Sequence, residues 1–180
     1  MARTPRHMLV LLLLLTWPLQ AVSDTPTSPK DTLKAAISYN LARFVSRITE
    51  DDASTIGPLI FCVLKNSPIV SELRFMNSGK DRKLAFELRE LSEPSAFYEG
   101  CDISFVSDRL MPEVSLENLA AAGSVTIGAI DGFLDAGGAI ELVQTGQKFG
   151  FSVNLAALRL AEKSLSSRVL KLALKVRPAS

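Results

Sequence analysis

The sequence predicts an α/β protein: a mostly parallel sheet flanked by helices, with a C-terminal antiparallel hairpin and two terminal helices. Three observations lead there. Leu59-Ile60-Phe61-Cys62-Val63-Leu64 is a short, unbroken apolar run of the kind that parallel sheets cover on both faces. Strand-like and helix-like stretches then alternate as far as Gly128, and parallel neighbours need a crossover that is usually helical. Finally, residues 139–143 and 149–153 flank Thr145-Gly146-Gln147 as the arms of a hairpin flank its turn.

Taken in order, residues 24–30 are rich in Thr, Ser and Pro and read as a loose leader. Ser28-Pro29-Lys30-Asp31 sets a capping hydroxyl, a first-turn proline and an acid in the sequence that starts a helix. Leu33, Ile37, Leu41, Phe44, Val45 and Ile48 recur at helical spacing, which predicts one buried stripe through to about Ile48. Glu50, Asp51 and Asp52 read as a solvated connection rather than a metal site. After the first strand come a helix over 69–76, a turn at Asn77-Ser78-Gly79-Lys80 and an alternating strand over 84–89. Residues 95–99 make one helical turn, 103–106 a strand, 111–122 a helix and 125–128 the next strand. Beyond the hairpin, residues 155–163 and 167–176 read as helices with a cap at 164–167 between them. No internal repeat interrupts this order, and residues 31–177 read as a single domain.

The start of the chain sets the compartment. Arg3 and Arg6 form a basic head, Met8 to Leu15 is unbroken apolar sequence, and Ala21-Val22-Ser23 offers small residues where a signal peptidase reads. Residues 1–23 therefore read as a signal peptide cleaved near Ser23 and Asp24, and the apolar stretch is too short for a spanning helix. Cleavage removes His7 and Trp17, the single histidine and single tryptophan of the chain. It leaves 18 basic against 19 acidic residues, a net charge of −1 that is no nucleic-acid footprint. Without histidine the exported chain lacks the commonest general base and metal ligand, and an enzyme is not expected. Cys62 and Cys101 would meet an oxidising compartment. A bridge between them closes a loop of about 40 residues, worth roughly 4 kcal/mol at most in chain-entropy terms, and two buried free thiols are the alternative.

Few residues suggest chemistry. The loop after the first strand, Lys65-Asn66-Ser67-Pro68, has no glycines to bring backbone amides onto a phosphate, and no cofactor is expected. Gly128 and Asp131 fall at the carboxyl end of the sheet, where open α/β folds tend to bind ligands. Asp131 and Asp135 form a carboxylate pair or, better, belong to a short capped helix. Gly137-Gly138 reads as backbone accommodation, and Ser164, Ser166 and Ser167 as caps, since none sits in a nucleophile elbow. Arg43, Arg159 and Arg168 are the cations expected beside the ordered core.

Three late segments, Asp135-Ala136-Gly137-Gly138-Ala139-Ile140, Phe151-Ser152-Val153-Asn154-Leu155-Ala156-Ala157 and Ser166-Ser167-Arg168-Val169-Leu170-Lys171-Leu172-Ala173, resemble successive signatures of the YfiR family of exported bacterial proteins. Residues 34–44, Phe61-Cys62-Val63-Leu64 and Cys101-Asp102-Ile103-Ser104-Phe105-Val106 are similar to that family's first helix, first strand and third strand. The resemblance implies a periplasmic, often dimeric regulator without catalytic activity. It would bind the periplasmic part of an inner-membrane diguanylate cyclase, restrain it, lower cyclic di-GMP and biofilm formation, and be sequestered by an outer-membrane lipoprotein. It also implies a Cys62–Cys101 disulfide, partner contacts at Tyr39, Asn40 and Arg43, and a small-ligand site near Asn154 and Arg168. The chain departs from the family where Ala136 and Val143 stand in the region of a second cysteine pair. It departs again at Phe44-Val45-Ser46-Arg47-Ile48, where relatives follow the phenylalanine with an acid, tryptophan and proline. A small-molecule binding module without a cyclase partner is the alternative reading.

Overall fold

A seven-stranded sheet organises the chain, in the order β3-β2-β4-β5-β6-β7-β9. The computed structural model describes residues 28–48, 57–78, 86–146 and 148–179; the expected signal peptide, most of the expected leader, the acidic run at 50–52, Gly79, Lys80, Leu84, Ala85 and Gln147 lie outside them. The strands are β2 (Leu59–Leu64), β3 (Phe86–Leu91), β4 (Ile103–Val106), β5 (Val125–Gly128), β6 (Ile140–Thr145), β7 (Lys148–Asn154) and β9 (Lys175–Arg177). All neighbours are parallel except β6 and β7, the expected hairpin, which pair from Ile140 opposite Val153 to Thr145 opposite Lys148.

Strand alternation divides the core. Leu59, Phe61 and Val63 on β2, Ile103 and Phe105 on β4, and Val125 and Ile127 on β5 join a large cluster with α1 (Pro29–Ala42) and α2 (Val70–Asn77). Cys62, Leu64 and Val106 face the other way, onto Phe97, Leu110, Leu116, Leu119 and Phe133. A continuous apolar strand therefore serves two cores at once, which explains why β2 shows no polar alternation. The Cys62–Cys101 disulfide crosses the second cluster with its Cα atoms 5.8 Å apart.

The first helix starts as its sequence predicts: the Ser28 hydroxyl accepts the Asp31 amide, with Pro29 in the first turn. It ends at Ala42, not near Ile48. Val45–Arg47 is instead β1, which pairs antiparallel with β8 (Lys163–Leu165) in a separate two-stranded ribbon. The buried side of α1 is also narrower than expected, formed by Ala35, Ser38, Leu41 and Ala42, while Leu33, Phe44 and Ile48 are exposed.

The helix expected over 111–122 is broken. Met111–Glu113 forms a 3-10 turn, and Ser115 then caps α3 (Leu116–Ala121) by accepting the Asn118 amide. The two terminal helices are shorter than expected: α4 (Leu155–Leu160) and α5 (Ser167–Leu170) each give way to a strand, β8 and β9. The cause is long-range pairing. Lys163–Leu165 finds β1, and Lys175–Arg177 finds the open edge of β7. Residues 131–137 form successive turns rather than a short capped helix. Phe133, fully buried, fills the space beside Gly128, where a Cβ would lie 2.6 Å from its ring, and beside Gly138, where a Cβ would overlap it. Gly138 is thus a close-approach glycine, whereas Gly137 supplies a positive φ of 96°.

Candidate functional site

The carboxyl end of the parallel strands is nearly closed. A cavity of about 30 Å³ remains there, lined by residues that include Lys34, Phe105, Asp108 and Ile130. Phe133 occupies the neighbouring volume beside Gly128. Its surrounding loop is clamped from both sides. The Leu134 amide donates to the Glu141 carboxylate at 3.0 Å, and Arg177 donates to the Leu134 carbonyl at 3.0 Å while pairing with Asp135. The hydrogen bond from Arg177 holds the Asp135 carboxyl below its ordinary range. Asp135 is thereby engaged as an anchor, and Asp131 is exposed.

Larger space lies elsewhere. The face of α1 carrying Ile37, Asn40, Leu41 and Phe44 stands beside Phe149, Gly150 and Phe151 of β7 and Val169 and Leu172 of the α5 region, enclosing a groove of about 310 Å³. Asn40 is the one polar side chain in this lining, and its amide already donates to the Ala36 carbonyl at 2.8 Å. The helical spacing of Ile37, Leu41 and Phe44 that suggested a core stripe therefore marks the wall of an apolar groove. Phe44, 47% exposed, stands at its margin next to Arg43, which is exposed at the C-terminal cap of α1. Tyr39 points elsewhere: its ring meets Phe86 of β3 edge-on, with centroids 5.1 Å apart. Of the three residues suggested as partner contacts, Asn40 and Arg43 thus belong to the groove region and Tyr39 to the α1–β3 packing.

Asn154 and Arg168 are not brought into one cavity. Asn154 is buried at the N-cap of α4, where its side-chain oxygen accepts the Ala156 amide at 3.1 Å and the Ala157 amide at 3.4 Å. It lines a separate cleft of about 350 Å³ with Glu117, Asp135, Gly137 and Leu160 among others. Arg168 is exposed on α5 and lines neither space. Asn154→Ala is expected to lower stability by about 1 kcal/mol through loss of the cap. Urea unfolding reads that change, and an unaltered midpoint would show that the cap contributes nothing.

One constellation had no signal in the sequence. The Asp102 carboxylate accepts Arg47 Nη2 at 2.6 Å and Nε at 3.2 Å, lies 3.3 Å from Lys163 Nζ, and accepts the Ile60 amide at 2.9 Å. Lys163 is only 7% exposed and also donates to the carbonyls of Gly123 and Ala161. This hub joins both ribbon strands to β2 and the start of β4. It sits beside the disulfide, since Asp102 follows Cys101. Its donors and acceptors are mutually satisfied, so it serves structure rather than chemistry. Among the described residues, no cluster of three or more His, Cys, Asp or Glu side chains is placed to hold a metal ion, and no helix is long and apolar enough to cross a membrane.

Comparison with known proteins adds a family. A family model described as YfiR/HmsC-like matches residues 31–174. No curated protein matches the chain. Among solved structures, a conserved domain protein from Vibrio cholerae O1 biovar El Tor aligns with a TM-score of 0.48 at 10% identity, over 83% of this chain and 60% of its own. The ABC domain from Streptococcus pneumonia in complex with L-Trp also aligns with a TM-score of 0.48 at 10% identity, over 79% of this chain and 60% of its own. The chain thus spans about three-fifths of the length of each.

Proposed function

Because the chain belongs to the YfiR/HmsC-like family, we propose that it is a non-enzymatic periplasmic regulator that binds the periplasmic part of a membrane-bound diguanylate cyclase and represses it, lowering cyclic di-GMP. The observation that carries this reading is the family match across residues 31–174, which runs from the first turn of α1 through α5. The mature protein is residues 24–180, freed of a signal peptide at 1–23, with a leader at 24–30 and one domain at 31–177. The groove beside α1 is the contact face, with Phe44 as its apolar anchor and Asn40 and Arg43 at its margin. Repression requires tighter binding to the inactive cyclase than to the active one. A tenfold preference corresponds to about 1.4 kcal/mol, little enough for a competing partner such as an outer-membrane lipoprotein, or for homodimer formation, to reverse.

The test is cyclic di-GMP in cells with and without the gene, restored once intact and once lacking residues 1–23. A rise on deletion that only the exported form corrects supports repression from the periplasm. No change across growth conditions removes the cyclase reading. The groove favours a second reading, a small-molecule binding module, because about 310 Å³ is at the lower end of the volumes that hold ligands. A compound that raises the melting temperature with no protein partner present favours that module.

A further inference from the structure

Strand β3 is one border of the sheet, and among the described residues no strand pairs with its outer side. The opposite border is blunted: β9 is only Lys175–Arg177, it carries a lysine, and Pro178 follows it. Strand β3 has none of these devices. It is longer, pairs with β2 along its whole length without a bulge, and contains no proline, glycine or lysine. The Lys65 amide donates to the Leu91 carbonyl at 2.9 Å, so Leu91 turns its peptide groups towards β2, and by alternation Arg89 and Glu87 do the same. The amides and carbonyls of Phe86, Leu88 and Glu90 therefore face outward as an unfilled ladder.

The side chains decide what fills it. Glu87 is exposed and Arg89 half-buried on one face of the strand, and neither forms an ion pair among the described residues. Arg89 Nη1 is held by the carbonyls of Glu99 and Gly100 at 3.1 and 3.4 Å, which fixes the guanidinium without neutralising it. Let a second copy of β3 lie antiparallel to the first, about a twofold axis at Leu88. The outward groups then meet: Leu88 faces Leu88 of the second copy and Phe86 faces Glu90 of the second copy, each pair exchanging both N–H···O bonds. Glu87 faces Arg89 of the second copy, and Arg89 faces Glu87, at the non-hydrogen-bonded positions where opposed Cα atoms come closest, about 4.5 Å. Centring the pair on Glu87, Arg89 or Glu90 would set like charges face to face, and a centre between two residues would set outward-facing groups against inward-facing ones. We propose that β3 is a self-complementary interaction surface on which a second copy of this chain docks, joining two sheets edge to edge with Leu88 on the twofold axis. The pairing needs no cyclase, so its failure would leave the cyclase reading untouched.

Sedimentation equilibrium of protein purified from the periplasm, with no other protein present and over a series reaching the millimolar range, is expected to show monomer in exchange with dimer. Glu87→Lys and, separately, Arg89→Glu set like charges opposite each other at both ends of the pair, and each is expected to weaken the dimer about tenfold or more. An equimolar mixture of the two variants restores opposite charges at both ends and is expected to form a mixed dimer about as tight as that of the unsubstituted protein. Monomer alone throughout the series, a dimer that both substitutions leave intact, or a mixture no tighter than its components overturns the proposal. Should a variant fail to fold, amide hydrogen exchange of the unsubstituted protein decides. The Leu88 and Glu90 amides should gain protection in step with dimer formation, and exchange there that ignores concentration overturns the proposal.

Discussion

Asp102→Asn lowers the free energy of unfolding by about 3–5 kcal/mol, the loss expected when one member of a buried ionic cluster is neutralised and its partner charge stays behind. The stranded group is the Lys163 ammonium, 7% exposed, which keeps two carbonyl acceptors but loses its counter-charge. Arg47 loses one point of its two-point contact, since asparagine offers a single acceptor oxygen, and keeps the Gly57 carbonyl at 2.9 Å. Guanidinium unfolding measures the loss. Replacing Asp102, Lys163 and Arg47 together with apolar residues of similar volume is expected to recover much of it, because no unpaired charge then remains buried. A loss under 1 kcal/mol in Asp102→Asn would show that water reaches the cluster and screens it.

Opening the disulfide gives the second large effect. Cys62 and Cys101 are 39 residues apart in sequence, and the loop-entropy relation gives about 4 kcal/mol for a closure of that length. The double variant Cys62→Ala with Cys101→Ala is expected to lose about 2–4 kcal/mol, the lower figure allowing for structure in the unfolded chain. Both sulfurs are buried, so reductant at room temperature should leave the folded protein oxidised, and reduction should accelerate steeply near the melting temperature. Because Cys101 and Asp102 are neighbours, the two effects should combine to less than their sum. A cycle of single and combined variants reads that coupling directly.

The course of the sheet was open to sequence reasoning because its strands declare themselves locally. The apolar run of β2, the shorter β4 and β5, and the hairpin around Gly146 all carry period or turn chemistry within a few residues. The ribbon did not. Residues 45–47 continue the helical spacing of α1, and 163–165 read as the end of a helix and its cap, so neither reads as strand until its partner is known. The same limit hid Lys163, which ends the helix expected over 155–163 and is in fact buried on Asp102. The groove was legible in composition but not in role: Leu41 and Val45 are buried as their spacing suggests, Ile37 and Phe44 line the groove with Leu41, and Ala35, Ser38 and Ala42 share the buried side of α1. At the carboxyl end of the sheet, attention fell on Asp131 and Asp135. The decisive residue is Phe133 between them, whose ring is buried against Gly128 and Gly138.

The ribbon also sets an order of events in time. Val45 pairs with Leu165 and Arg47 with Lys163, residues more than a hundred positions apart. A chain that emerges N-terminus first presents β1 while the strand that pairs with it has yet to appear. The parallel strands β2, β4, β5 and β6 lie side by side in the order of their synthesis and can assemble as they arrive. Strand β1, just after the first helix, must wait for β8, a long closure that slows completion of the native state. Until residue 165 has arrived, the N-terminal segment lacks this pairing and stays free to be threaded or handled by other machinery.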